Sequence, residues 1–233
     1  MELYFGKAIK TLGPSLVTGV GVVLEVTVIG FMGAIIIGFL VAIVKMSKNK
    51  VARWGMGVFV ELIRGTPLLV QFFYIYYVLP LLMSNLLKAV EIDYNVQISS
   101  VMAGIVGFSV NYGCYMSEVI RSAIVSIDPG QREAGLALGF SEIQVLIKII
   151  LPPSFRNSVP VFGNYLVMMI KDTSLLACIA VSELLLRTQA YASQTFLTIE
   201  AYTLLAVVYL VISVPLSQGV KMLEKKMNKF SRS

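Results

Sequence analysis

Five side chains carry charge or a hydroxyl where the surrounding sequence is apolar. They are Arg64 and Thr66 in Glu61-Leu-Ile-Arg-Gly-Thr-Pro-Leu-Leu-Val-Gln71, Glu118 in Tyr115-x-x-Glu118-x-x-Arg121, and the adjacent Lys171 and Asp172. At membrane depth a charged side chain costs on the order of 3 kcal/mol on insertion scales. Groups kept at that cost are candidates to line a path for a polar solute. They have little means of transforming one. The chain has no histidine, the commonest metal ligand and acid–base group. It has no G-x-x-x-x-G-K-[ST] loop to cradle nucleotide phosphates. Cys114 and Cys178 lie within apolar runs and read as small buried hydrophobes. No covalent chemistry and no cofactor are expected in this chain, so any ATP hydrolysis belongs to another subunit.

The elements that would position these residues are membrane helices. Hydrophobic residues make up 57% of 233 positions and charged residues only 14%, against about 45–50% and about 25% in an ordinary globular domain. The reading is a single all-α polytopic membrane domain. Crossing the hydrocarbon takes roughly 20 mainly apolar residues, and five segments qualify: about 19–44, 57–81, 98–122, 156–180 and 200–220. Strand-length alternation is absent, and open backbone groups are not tolerated in lipid. The net charge of +6 reflects topology rather than nucleic-acid binding. Basic residues cluster at Lys45, Lys48, Lys50 and Arg53, at Arg121, Arg132, Lys148 and Arg156, and at Lys221, Lys225, Lys226, Lys229 and Arg232. With five spans these clusters share one side, which the positive-inside rule makes the cytoplasm. The amino terminus is then outside, as a retained anchor, and the carboxyl terminus inside. Lys7 and Lys10 run against this assignment and are outnumbered. The less apolar stretch 181–199 suits a short outer-face helix or a partly re-entrant segment.

Between the third and fourth spans, about residues 128–152, lies Glu133-Ala134-Gly135-Leu-Ala-Leu-Gly139, followed by Ile149-Ile-Leu151-Pro152. Asp128 is suited to cap a helix, Pro129 to open it and Gln131 to close a capping box. Leu136, Phe140, Ile143 and Ile147 then share a face, and Pro152-Pro153 ends the helix. Small residues at Ala134, Gly135 and Gly139 would let another protein approach closely. The segment reads as a docking element, with a plain linker helix as its alternative.

The spacing E-A-G-x3-G-x9-I-x-L-P resembles the EAA loop of ATP-binding-cassette importer permeases, with Gly135 where Ala is usual. The strings Arg64-Gly-Thr-Pro-Leu-Leu-Val-Gln71, Tyr115-x-x-Glu118-x-x-Arg121 and Lys171-Asp172-Thr-Ser-Leu175 are similar to those of the polar amino-acid uptake subfamily. The resemblance runs from about residue 15 to the tail. It implies a MetI-like permease fold of five helices with a cytoplasmic coupling helix, in a bacterial inner membrane. It implies ATPase partners, holding ATP and magnesium, that bind Glu133, Ala134, Gly135, Gly139, Ile149, Leu151 and Pro152. It also implies an external solute-binding protein and a second permease copy or homologue. The substrate would be a polar amino acid, whose ammonium and carboxylate suit a cavity offering both signs. Arg64, Thr66, Glu118, Lys171 and Asp172 would line its path. Pairing within Glu61/Arg64 and Glu118/Arg121, three apart on a helix, is the structural alternative. An ion-coupled secondary transporter or channel is the functional one.

Overall fold

The computed structural model describes residues 3–230, with side chains as far as Met227; Lys229 and Arg232 of the basic tail lie outside the described side chains. Within these residues every regular element is helical. The chain runs through α1 (Phe5–Lys45), α2 (Lys50–Gly65), α3 (Leu68–Phe73), α4 (Leu79–Ala89), α5 (Ser100–Val125), α6 (Pro129–Ala137), α7 (Glu142–Val145), α8 (Leu151–Asp172), α9 (Leu184–Thr195) and α10 (Thr198–Phe230). A 3-10 turn, Thr173–Ile179, extends α8.

Among the described residues, three continuous helical stretches are long and apolar enough to cross a membrane: α1, Leu68–Ala89 and α10. A fourth is the pair Glu142–Ile179 and Leu184–Thr195, bent by 52° at its break. At 26 residues α5 has the length. It carries Ser109, Asn111, Ser117, Glu118 and Arg121, which lower its mean hydropathy.

The second predicted span is not one helix. Thr66 and Pro67 adopt extended backbone between α2 and α3. Proline has no N–H to continue the ladder, and it disfavours helical backbone in the residue before it. The longest unbroken helical stretch there begins at Leu68, so the break falls inside the segment of about residues 57–81. Prolines also explain two π-helical turns. Tyr74–Val78 directly precedes Leu79-Pro80, and Leu146–Ile150 directly precedes Leu151-Pro152-Pro153. A proline ring clashes with the carbonyl four residues earlier, and widening the preceding turn relieves the clash. Pro152-Pro153 consequently opens α8 instead of ending the loop helix.

The core forms where α1 and α5 lie against one another. Gly38 makes that approach possible: a Cβ there would stand 2.9 Å from the Met116 Cβ and 3.1 Å from the Gly113 carbonyl oxygen. The Ser109 hydroxyl donates across the same seam to the Gly30 carbonyl at 3.2 Å. Around it, Phe72 meets Phe108 edge-on at 5.1 Å, and Met116, Met169 and Leu176 are fully buried. A second cluster joins Leu12, Leu16 and Val23 of α1 to Leu184 of α9 and Leu205 of α10. Buried Glu183 caps α9, accepting from the Leu185 and Leu186 amides at 2.8 and 2.9 Å. That helix lies within 181–199, the stretch expected to hold a short outer-face helix or a partly re-entrant segment. Cys114 is buried as expected; Cys178 is exposed, because the 3-10 turn directs it away from the core. Glu25 is exposed on α1, and the exposed face is wholly apolar from Val28 to Ile43.

Candidate functional site

The break at Thr66-Pro67 is the origin of the site. Breaking a helix strands carbonyls at its end, and in a membrane these need partners. Gln71, one turn into α3, supplies them. Its Nε2 donates to the Ile63 carbonyl at 2.6 Å and to the Thr66 carbonyl and hydroxyl at 3.0 Å each. Asn111 of α5 holds the Gln71 Oε1 at 3.1 Å, which ties the break to the core helix. The break leaves Arg64 and Thr66 at the edge of a cavity of about 370 Å³, whose other walls include Asn111, Tyr112, Tyr115, Tyr165 and Asp172.

Three tyrosines give that cavity its inner wall. Tyr112 and Tyr165 meet edge-on with centroids 5.9 Å apart, and Tyr115 lies 6.2 Å from Tyr165. The Arg64 guanidinium rests 5.1 Å over the Tyr115 ring, a cation–π arrangement that steadies the charge while leaving its edge open. Its pairing with Glu61 is loose, at 3.9 Å. Asp172 receives the Tyr112 hydroxyl at 2.6 Å. A cation and an anion thus face one cavity, from α2 and from the end of α8.

A second cavity, of about 430 Å³, shares Arg64, Tyr115 and Tyr165 with the first and continues past Glu118, Ser122, Ser126 and Asn157. Glu118 contributes to its wall with both carboxylate oxygens engaged, one by Lys45 of α1 and one by Arg121 at 3.2 Å. Of the residues named from sequence, Arg64, Thr66, Glu118 and Asp172 come together here. Lys171 does not; it is exposed and lines neither cavity, being on the diverging side of the helix from Asp172. Sequence reading placed none of Gln71, Asn111, Tyr112, Tyr165 and Lys45 at the site. The first of these had a visible signal, an amide one turn beyond a proline break.

The loop between α5 and α8 is two short helices rather than one. Asp128 caps α6 as predicted, accepting from the Gly130 amide at 2.8 Å. The capping box in this loop belongs to Ser141 and Gln144 at the start of α7, not to Gln131. Gly139 divides them with a φ of 84°, a left-handed conformation that glycine alone adopts without strain. Leu136 and Phe140 therefore do not share a continuous helical face with Ile143 and Ile147.

Gly135 faces inward, unlike Ala134 and Glu133, which are exposed. A Cβ at Gly135 would stand 2.6 Å from the Ile149 Cδ1 and 2.9 Å from the Val145 Cγ2. Its smallness serves the packing of α6 on the π turn. Among the charged residues of its outward surface the loop also presents two large apolar side chains: Leu138 is 77% exposed and Ile143 69%. Arg132 of α6 reaches Glu142 of α7 at 3.3 Å across the bend. Ile149 packs beneath Gly135, and Leu151 and Pro152 begin α8.

A model of the family described as "binding-protein-dependent transport system inner membrane component" matches residues 34–229. The glutamine transport system permease protein GlnP of Escherichia coli K12 is 36% identical over 214 residues, covering 92% of this chain and 93% of that protein. The L-cystine transport system permease protein TcyB of Bacillus subtilis 168 is 34% identical over 218 residues, covering 93% and 88%. Among solved structures, an amino acid ABC transporter crystallised with histidines superposes with a TM-score of 0.83 at 28% identity, covering 97% of this chain and 100% of that one. The MetNI methionine ABC transporter superposes with a TM-score of 0.66 at 17% identity, a likeness of fold alone. On these matches, and with the helices and loop already described, this chain belongs to the family of inner-membrane components of binding-protein-dependent transport systems, the integral-membrane permeases of ATP-binding-cassette importers.

Proposed function

We propose that this chain is the membrane-spanning subunit of an importer that moves a polar amino acid into the cytoplasm, driven by ATP hydrolysis in a separate subunit. The observation that carries the reading is the opposition of Arg64 and Asp172 across one tyrosine-walled cavity. A zwitterion needs a cation for its carboxylate and an anion for its ammonium, and this cavity supplies both. Glutamine and cystine, named for GlnP and TcyB, share that backbone chemistry.

Five crossings in this reading are α1, the broken helix of α2 to α4 at about residues 57–81, α5, α8 and α10, with the amino terminus outside and the carboxyl terminus in the cytoplasm. The loop of α6 and α7 then faces the cytoplasm. There its exposed Leu138 and Ile143, with Glu133, Ala134 and Gly139 beside them, form the seat for an ATPase that holds ATP and magnesium. Gly135, Ile149, Leu151 and Pro152 hold that seat in shape from behind. A second permease closes the open sides of the two cavities, and a solute-binding protein delivers the amino acid from outside. Nucleotide and solute act by differential affinity for the outward-open and inward-open states, which is what coupling requires.

The test is uptake into proteoliposomes containing the assembled transporter. Uptake should follow enclosed ATP and ignore an imposed proton or sodium gradient. Uptake that tracks the gradient without ATP would replace this reading with a secondary transporter.

A further inference from the structure

Away from the tyrosine-walled site, α1 and α9 flank a cavity of about 450 Å³ in which polar side chains are set among Leu12, Leu186 and Ala190. Thr11 and Ser15 come from α1; Arg187, Tyr191 and Gln194 come from one face of α9, and Ser182 from the turn before it. Its geometry is built. The Tyr191 and Thr11 hydroxyls lie 2.9 Å apart. The Arg187 Nε donates to the Ser182 carbonyl at 2.8 Å, and one Nη1 hydrogen reaches the Ser15 hydroxyl at 3.3 Å. These two contacts fix the plane of the guanidinium and leave Nη2 without a partner among the described residues.

No carboxylate among the described residues pairs with Arg187, nor with Lys7 or Lys10 on the preceding turns of α1. The cavity is therefore a fixed cationic fork among hydroxyls. Gly19 leaves room for the Arg187 stem: a Cβ there would stand 3.2 Å from the Arg187 Cδ. The first predicted span begins at about residue 19, and on that placement the guanidinium stands at the edge of the hydrocarbon, level with the bilayer phosphates. A guanidinium presents paired donors that match a phosphate's oxygens. Flanking lysines favour a lipid of net negative charge.

We propose that the α1–α9 cavity binds the headgroup phosphate of an anionic phospholipid of the outer leaflet, held by Arg187 with Thr11, Ser15 and Tyr191 around it. This also gives Lys7 and Lys10, which the positive-inside count leaves unexplained, a common role with Arg187. The site rests on the orientation proposed above and is independent of the amino-acid path.

The experiment is native mass spectrometry of the whole transporter, purified with its ATPase, titrated with phosphatidylglycerol or phosphatidylcholine. Wild type should retain phosphatidylglycerol in preference to phosphatidylcholine. Arg187→Gln should lower its apparent affinity about tenfold, the loss of one charge-assisted contact. Gln194→Glu, which leaves Arg187 and its anchors in place and adds a repelling carboxylate, should lower it as well. Equal retention of the two lipids, or unchanged phosphatidylglycerol binding in both variants, overturns the site. So does displacement of the lipid by millimolar inorganic phosphate, which would mark a site for a free anion. Labelling of Gln194→Cys with an impermeant maleimide, in a Cys114→Ala/Cys178→Ala background, reports the orientation separately. Outside labelling supports it, and labelling only from the cytoplasm overturns it whatever the lipid result.

Discussion

The Tyr112 hydroxyl donates to the Asp172 carboxylate at 2.6 Å, joining the middle of α5 to the last residue of α8 across sixty positions of sequence. The contact does two things. It satisfies one carboxylate oxygen, and it holds that carboxylate beside the cavity that Arg64 faces. Tyr112→Phe removes the hydroxyl and keeps the ring packed on Tyr165. Half-saturating amino-acid concentration for uptake should rise about tenfold, the value of a hydrogen bond to a charged group, with normal assembly. Uptake kinetics identical to wild type would show that Asp172 is positioned without Tyr112.

Gly38 tests the packing that holds the path together. Gly38→Ala places a methyl against the Gly113 carbonyl and the Met116 Cβ, neither of which is the free end of a flexible side chain. The expected destabilisation is about 1–3 kcal/mol, read as a lower melting temperature of the purified protein. Gly21→Ala meets nothing within 4 Å and serves as the neutral control on the same helix. Equal melting of the two variants would remove the close α1–α5 approach from the account.

Glu118 is held from two sides, by Lys45 at the end of α1 and by Arg121 one turn along α5, and its side chain is only 21% exposed. Removing one partner of such a pair leaves the other charge poorly solvated. In a thermal-stability cycle of Lys45→Met, Glu118→Gln and the double variant, each single change should destabilise. The double change should fall short of their sum by about 0.5–3 kcal/mol. Strict additivity would mean that the contact carries no energy.

What was legible in the sequence followed from local chemistry. Asp128-Pro129 announced the start of α6, and Pro67 inside the second predicted span is a break signal that composition alone leaves unweighted. The outcome of that signal, a full break stapled by Gln71, depends on a side chain five residues past Thr66 and on Asn111, forty residues further on. Pattern could not show which way Gly135 faces, because that is decided by Val145 and Ile149 packing back onto it. The Ser141–Gln144 capping box was readable and was obscured by extending one helical face through Gly139. Lys45–Glu118 and Tyr112–Asp172 are tertiary contacts between separate helices, and no periodicity encodes them.

The exposed face of the loop offers a cleaner test of docking than its left-handed glycine. Gly139→Arg would strain the backbone at a φ of 84° whether or not a partner docks there. Leu138, 77% exposed with nothing of its own chain to hold, separates docking from folding.

The most direct measurement is therefore ATP-driven amino-acid uptake by proteoliposomes carrying Leu138→Asp, alongside its melting temperature and its ATPase rate. The account predicts wild-type melting, with solute-stimulated ATPase activity and uptake both lost. Full-rate uptake by this variant, or by the permease with no ATPase bound, would contradict it.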